Sequence, residues 1–297
     1  MDRILNDYVF DCIARGYAHR TVESYQGRIQ QFLQWRGSYD ITTIDLRRFL
    51  LHLRNNGYKA PTLNGYFAAL SSFYDFLEFE ELVNHNPVPK FRKRYLRNYK
   101  KQYQPEKRQL INIFQMRQLI QETDQLLYQT LFIFLAKTGL RRKEILSLDK
   151  SDISLQDLTV HVKPTAKRSN TLIYFDQETR TFLETYLASR KDSDPALFVG
   201  RLSGKRIRKN QIYNAVTRYA LRCGFHDPNG RLDEKFTTHC FRHWFTTWLR
   251  RSGMPREFIQ ELRGDTRGDA IDVYDHVQPD ELKKTYLECI PQLGISP

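Results

Sequence analysis

From Thr21 onward, apolar residues recur at three- and four-residue intervals: Val22, Tyr25, Ile29, Phe32 and Leu33. That spacing predicts an amphipathic helix with a single buried stripe, and Thr21 is placed to cap it. Comparable helical patterns cover 43–55 and 60–79, and a short terminal piece completes the set. Residues 1–88 therefore read as a small helical bundle. Beyond residue 112 the pattern changes. Helical text runs from 114 to 137 and stops at Gly139, a residue suited to a left-handed helix cap, and a short second helix follows over 142–148. Two alternating runs, LTVHV at 158–162 and TLIYF at 171–175, flank the polar stretch KPTAKRSN. They predict a two-stranded hairpin with a basic tip. Helical periodicity resumes over 177–190, 209–223 and from Thr238, and the segment 278–294 holds the amphipathic stretch DELKKTYLECI. The expected fold is mainly α: an N-terminal helical bundle, then a mostly helical domain with one small antiparallel sheet.

Composition narrows the class. The chain has 297 residues, 40% of them hydrophobic, which excludes disorder as the main state. Its densest apolar run, Leu131 to Ala136, falls far short of the roughly 20 residues that span a bilayer. The opening MDRILNDYVF carries two acids and no sustained apolar stretch, unlike a secretory or transit peptide, so a cytoplasmic location is expected. The four cysteines are far apart and form no C-x-x-C pair, which argues against a zinc ribbon or a disulfide framework.

Charge adds a partner class. There are 47 Lys+Arg against 34 Asp+Glu, a net +13, and the excess is unevenly placed. Residues 1–88 carry 9 basic and 10 acidic side chains, 89–108 carry 9 and 1, and 109–297 carry 29 and 23. The middle segment follows Asn86-Pro87-Val88-Pro89, where two prolines favour extended chain. The division predicted is a helical domain at 1–88, a basic interdomain linker at 89–111 and a second domain at 112–297. Within the linker, Arg92, Lys93, Arg94 and Arg97 alternate with Tyr95, Tyr99 and Tyr103, a composition that suits a phosphate backbone and equally a solvated tether.

Two segments carry candidate chemistry. In Thr237-Thr238-His239-Cys240-Phe241-Arg242-His243, a threonine can cap a helix whose first turn presents His239 and Arg242 on one face, while Phe241, Phe245 and Trp248 form a packing face. An imidazole beside a guanidinium at the positive end of a helix dipole suits a phosphate. The pair His239 and His243 at i, i+4 lacks an H-E-x-x-H context and a nearby third ligand, so no metal site is expected. In Thr138-Gly139-Leu140-Arg141-Arg142-Lys143-Glu144, Arg141 sits in a helix-to-helix corner after a glycine, where it can be aimed into a cleft and oriented by Glu144.

The ordered set of motifs resembles the tyrosine recombinases, the phage-integrase and Xer-type enzymes. T-G-L-R-x-x-E-x-L-x-L is matched by 138–148, with Arg141 at the family's catalytic arginine. H-x-x-R-H is matched by His239, Arg242 and His243, and A-I-D-V-Y-D-H-V at 270–277 stands where the family has T-x-x-Y-x-H-V. The segment Ile259 to Asp265 replaces the family's I-Q-x-L-L-G-H, so Asp265 stands where histidine or tryptophan is usual. An ionised carboxylate cannot donate a hydrogen bond to phosphate and repels it. Asp265 either points away, leaving that role to His243 or Arg263, or buttresses an arginine.

The resemblance implies a SAM-like core-binding domain followed by a catalytic domain, and a site-specific recombinase that cuts DNA through a 3′-phosphotyrosyl link. It implies Tyr274 as the nucleophile, Arg141 and Arg242 as the phosphate clamp, and His239 as a phosphate ligand that also handles the nucleophile's proton. Lys167 is the implied general acid, with Lys163 as its alternative. No cofactor, metal or ATP is implied. The implied partners are double-stranded DNA sites, a homotetramer assembled from monomers or dimers on two sites, accessory DNA-bending factors, and no membrane. The terminal helix would dock on a neighbouring protomer or fold back on its own domain. Integration of a virus, plasmid or other mobile element is the leading reading. The alternatives are Xer-like resolution of chromosome or plasmid dimers, and a DNA-binding protein that has lost cleavage.

Overall fold

The computed structural model describes residues 2–96, 107–164, 168–265 and 277–297. Two compact units divide the chain, Met1–Pro105 and Glu106–Pro297. The first is built from α1 (Asp2–Ala14), α2 (His19–Arg36), α3 (Thr43–Asn55), α4 (Ala60–Phe79) and α5 (Val88–Tyr95). Their stripes meet in a core rich in aromatic rings, where Phe32, Phe67 and Phe73 are fully buried. The start of α2 differs from expectation: Ala18 precedes it with extended backbone, and Thr21 lies inside the first turn.

The linker reading needs correction at its front. Instead of an extended strap from residue 89, α5 is a helix, with Pro87 as its N-cap and a second proline in its first turn, where a missing N–H costs nothing. Phe91 is buried and stacks on Phe67 with ring centroids 5.2 Å apart, which fixes α5 to the bundle. Lys93 and Arg94 remain exposed, whereas Arg92 reaches back to Asn64 Oδ1 at 3.4 Å. Arg97, Tyr99 and Tyr103 lie outside the described residues.

In the second unit the long helical stretch is two helices, α6 (Ile113–Gln121) and α7 (Leu126–Thr138). The interruption has local causes: the Thr123 hydroxyl donates back to Leu119 O at 2.8 Å, and the Asp124 carboxylate accepts from Tyr219. Helix α7 is apolar around nearly its whole girth and forms the centre of the unit, as such a helix must. It ends at Gly139, which is left-handed with φ 59°. A side chain there would strike the Phe245 ring, its Cβ only 2.4 Å from a ring carbon. Helix α8 (Arg142–Ser147) follows, then a sheet of three strands among the described residues: β1 (Ile153–Ser154), β2 (Thr159–His161) and β3 (Leu172–Tyr174). All neighbours are antiparallel, with Val160 opposite both Ile153 and Ile173. The hairpin is thus extended by a two-residue strand too short to show periodicity.

Helices α9 (Gln177–Ser189), α10 (Lys209–Arg222), α11 (Thr238–Arg251), α12 (Arg256–Arg263) and α13 (Pro279–Cys289) complete the unit. Helix α13 folds back in the single chain: Leu282 and Tyr286 enter a small core with Phe245, Leu249 and Leu262. The tail beyond it is held by a buried Lys137, whose Nζ donates to Asp176 and Pro291 O, while Glu178 accepts from Leu293 N at 2.8 Å. No described helix is long and apolar enough to cross a membrane.

Candidate active site

Three helix ends converge. The corner after α7 delivers Arg141, the first turn of α11 delivers His239, Arg242 and His243, and the end of α12 delivers Arg263, Gly264 and Asp265. The approach of α11 to Gly139 is direct, because Arg242 Nη1 donates to Gly139 O at 2.8 Å. Arg242 is almost completely buried, and burial followed by the nearby charges of Arg141 and Arg263 pushes its pKa down to about 10. It stays a cation at neutral pH, in a setting that favours an added anion.

The corner itself is held by Glu144. Its carboxylate accepts from the Arg141 backbone N–H at 2.6 Å and from Arg141 Nη1 at 3.0 Å. This leaves Arg141 Nη2 directed at Asp265 Oδ1, 2.7 Å away. Arg242 Nη2 donates to the same oxygen at 3.0 Å, and Arg263 Nη2 lies 3.0 Å from Asp265 Oδ2. Asp265 therefore does not point away from the arginines. Its carboxylate oxygen sits where two guanidinium forks intersect.

Beneath this cluster lies Arg168, which motif reading passed over. Its side chain is wholly buried and donates to Glu144 Oε1 at 3.2 Å, Leu262 O at 3.0 Å and Arg263 O at 3.3 Å. It fits because residue 264 is glycine: a Cβ there would lie 2.5 Å from Arg168 Cγ, and the backbone has φ +59°. The sequence signal available was the G in R-G-D. The rest of the basic tip reads as solvated charge, so Arg168 did not stand out.

His239 keeps an exposed edge at the mouth of the cluster. Partial removal from water, then the charges of Arg108 and Arg242, hold its pKa below the ordinary histidine value. His243 is shifted the same way by burial, Arg108 and Arg263. Both imidazoles are neutral at pH 7 and able to accept a proton. Arg108 is a second contributor that motif reading did not single out.

The alternative general acid, Lys163, is engaged elsewhere: its Nζ lies 2.5 Å from Asp149 Oδ2 and 3.8 Å from Asp152 Oδ2. Lys163 and then Arg206 hold the Asp149 carboxyl below its usual range, so it is ionised at neutral pH and pairs with the lysine. Lys167 and Tyr274 lie outside the described residues. Among the described residues no group of three or more His, Cys, Asp and Glu side chains is arranged to hold a metal.

Comparison with known proteins gives concordant matches. The model of the phage integrase family matches residues 107–281, and that of the phage integrase N-terminal SAM-like domain matches 7–81. Tyrosine recombinase XerC of Bacillus licheniformis is 29% identical, over 94% of this chain and 93% of the relative. Tyrosine recombinase XerD of Proteus mirabilis is 26% identical, over 94% and 90%. Among solved structures, a lambda integrase dimer bound to a COC′ core site superposes with a TM-score of 0.71 at 16% identity, covering 94% of this chain and 99% of that one. The Tn1549 transposon integrase in complex with circular intermediate DNA gives 0.66 at 17% identity, covering 94% and 97%.

Proposed function

The chain belongs to the phage integrase family, and from that premise we propose that its convergent arginines grip the scissile phosphate of a DNA strand during site-specific recombination. The enzyme is a tyrosine recombinase, and double-stranded DNA is its partner. The observation that carries the proposal is the meeting of Arg141 Nη2 and Arg242 Nη2 on one anionic oxygen, within 3.0 Å of each. Two planar forks aimed at one oxygen fit the nonbridging oxygens of a phosphodiester and stabilise the charge that grows in a pentavalent transition state.

In this reading Tyr274 Oη attacks phosphorus as His239 takes its proton. The bond to the 5′ oxygen breaks, and that oxygen leaves with a proton from Lys167. The phosphotyrosyl link conserves the bond for attack by a 5′-hydroxyl of the partner strand. Support for Lys167 over Lys163 is that Lys163 is committed to Asp149 and Asp152. Exchange between two duplexes requires four strand cuts, and one tyrosine per chain then calls for a homotetramer on two sites, with DNA-bending factors as possible accessories.

Integration or excision of a mobile element in the cytoplasm is the role we favour, because R-G-D in place of L-G-H departs from the Xer pattern. Near end-to-end similarity to XerC and XerD supports dimer resolution as the second reading. Recombination assays on the candidate element ends and on a plasmid dimer separate the two. The chemical test is a duplex nicked beside the cleavage position. The wild type becomes covalently attached to it and Tyr274→Phe does not; attachment of the variant would overturn the nucleophile assignment.

A further inference from the structure

Asp265 is the feature that the family mechanism leaves without a task. A carboxylate is an anion of roughly the span of two phosphate oxygens, and this one fills the clamp: Oδ1 lies 2.7 Å from Arg141 Nη2 and 3.0 Å from Arg242 Nη2, with Oδ2 3.0 Å from Arg263 Nη2. Its backbone is fixed, since Asp265 N donates to Gln260 O at 3.1 Å just after the left-handed Gly264 that ends α12. Its side chain is about a quarter exposed, so rotation toward solvent is open to it. Arg242 Nη2 already spends its two N–H groups on Arg263 O at 2.9 Å and Asp265 Oδ1 at 3.0 Å, so a phosphate oxygen gains this donor by displacing the carboxylate.

We propose that Asp265 is an internal stand-in for the scissile phosphate, which holds the two guanidiniums in their binding orientation while the site is empty and must be displaced before DNA is cut. The inference rests on reading Arg141 and Arg242 as the phosphate clamp. Two consequences separate it from a purely structural role. The carboxylate keeps two mutually repelling arginines aligned in the free enzyme, and it competes with any free anion for them. Displacement then tunes selectivity: DNA that seats weakly fails to dislodge the carboxylate and escapes cleavage, because both compete for the same donors.

The test uses the full-length chain and inorganic phosphate as probe, with thermal protection by phosphate read against chloride at equal ionic strength. Removing the competing charge in Asp265→Asn lowers the phosphate concentration for half-maximal protection by about tenfold or more, the lower end of what a charge-assisted hydrogen bond contributes. Asp265→Ser, smaller and neutral, shifts it in the same direction even where the melting temperature without phosphate falls. Adding Arg141→Ala to either variant removes the gain, which ties it to the clamp. The second readout is covalent capture on nicked duplexes of unrelated sequence, which increases relative to capture on the proper site. If neither variant gains phosphate affinity and capture on the proper site falls in both, Asp265 is only a buttress and the proposal fails. Wild-type capture through Tyr274 in the same assay keeps that failure distinct from a failure of the recombinase mechanism.

Discussion

In the role proposed for it, His239 must be unprotonated when DNA arrives, and this condition is set by its neighbours. Loss of water and the charges of Arg108 and Arg242 hold its pKa below about 6.5, the usual histidine value. The sign follows: above that depressed pKa the imidazole is neutral and can accept a proton, and as pH falls through it the acceptor is lost. Covalent capture at subsaturating DNA therefore shows an acid limb with its midpoint below that of an ordinary histidine. His239→Gln, slower throughout, lacks that limb; an unchanged acid limb in the variant would assign it to another group. At this scale the motifs single out Arg141, His239, Arg242 and Asp265, because each sits at a fixed offset from a helix end, and the structure brings Arg141, Arg242 and Asp265 together. The motifs did not reveal Arg168 or Arg108. Both lie in basic runs where buried and solvated arginines have the same spelling, and only burial under Gly264 distinguishes the first.

The elements matter here through where they end. Gly139 and Gly264 are both left-handed terminators with a partner in the space a side chain would need, Phe245 for the first and Arg168 for the second. Gly224, which closes α10 with φ +72°, has nothing within 4 Å of its Cβ position. Gly224→Ala thus pays only the left-handed strain of about 1–2 kcal/mol. Gly264→Ala adds the displacement of Arg168, about 1–3 kcal/mol more. The second variant melts several degrees below the first in a thermal scan, and it alone slows capture on nicked DNA; equal melting temperatures would show that Arg168 yields freely. Helices were legible wherever a stripe or a cap marked them, as at 43–55 and 60–79. Where local side-chain chemistry overrode the periodicity, as at Thr123, one expected helix became two. Strand β1 was too short to read. Helix α5 was concealed by its prolines, which favour extended chain before themselves yet also open helices, and only the docking of Phe91 decides between the two.

For the molecule as a whole, the net charge of +13 is divided between a structural share and a share left for DNA. Arg168 and Lys137 are consumed inside the second unit, and Arg92 is turned toward Asn64. On α5 the exposed charges are Lys90, Lys93 and Arg94, joined by Arg47 of α3, whose guanidinium stands 5.8 Å from the Tyr95 ring, as does that of Arg94. A basic helix face built on a rigid bundle holds its charges at fixed spacing, where a flexible strap would let them follow the backbone. Each phosphate that such a face neutralises releases counterion and contributes about 0.9 to the slope of log affinity against log salt. Replacing Lys93 and Arg94 together by glutamine lowers that slope by about 1.8 for every duplex, whatever its sequence. Arg92→Gln changes it much less, because its guanidinium is already engaged within the bundle. Measuring the three slopes on one unrelated duplex is sufficient. An Arg92→Gln loss equal to half that of the double variant would mean that α5 unwinds on DNA and that the segment acts as an extended strap after all.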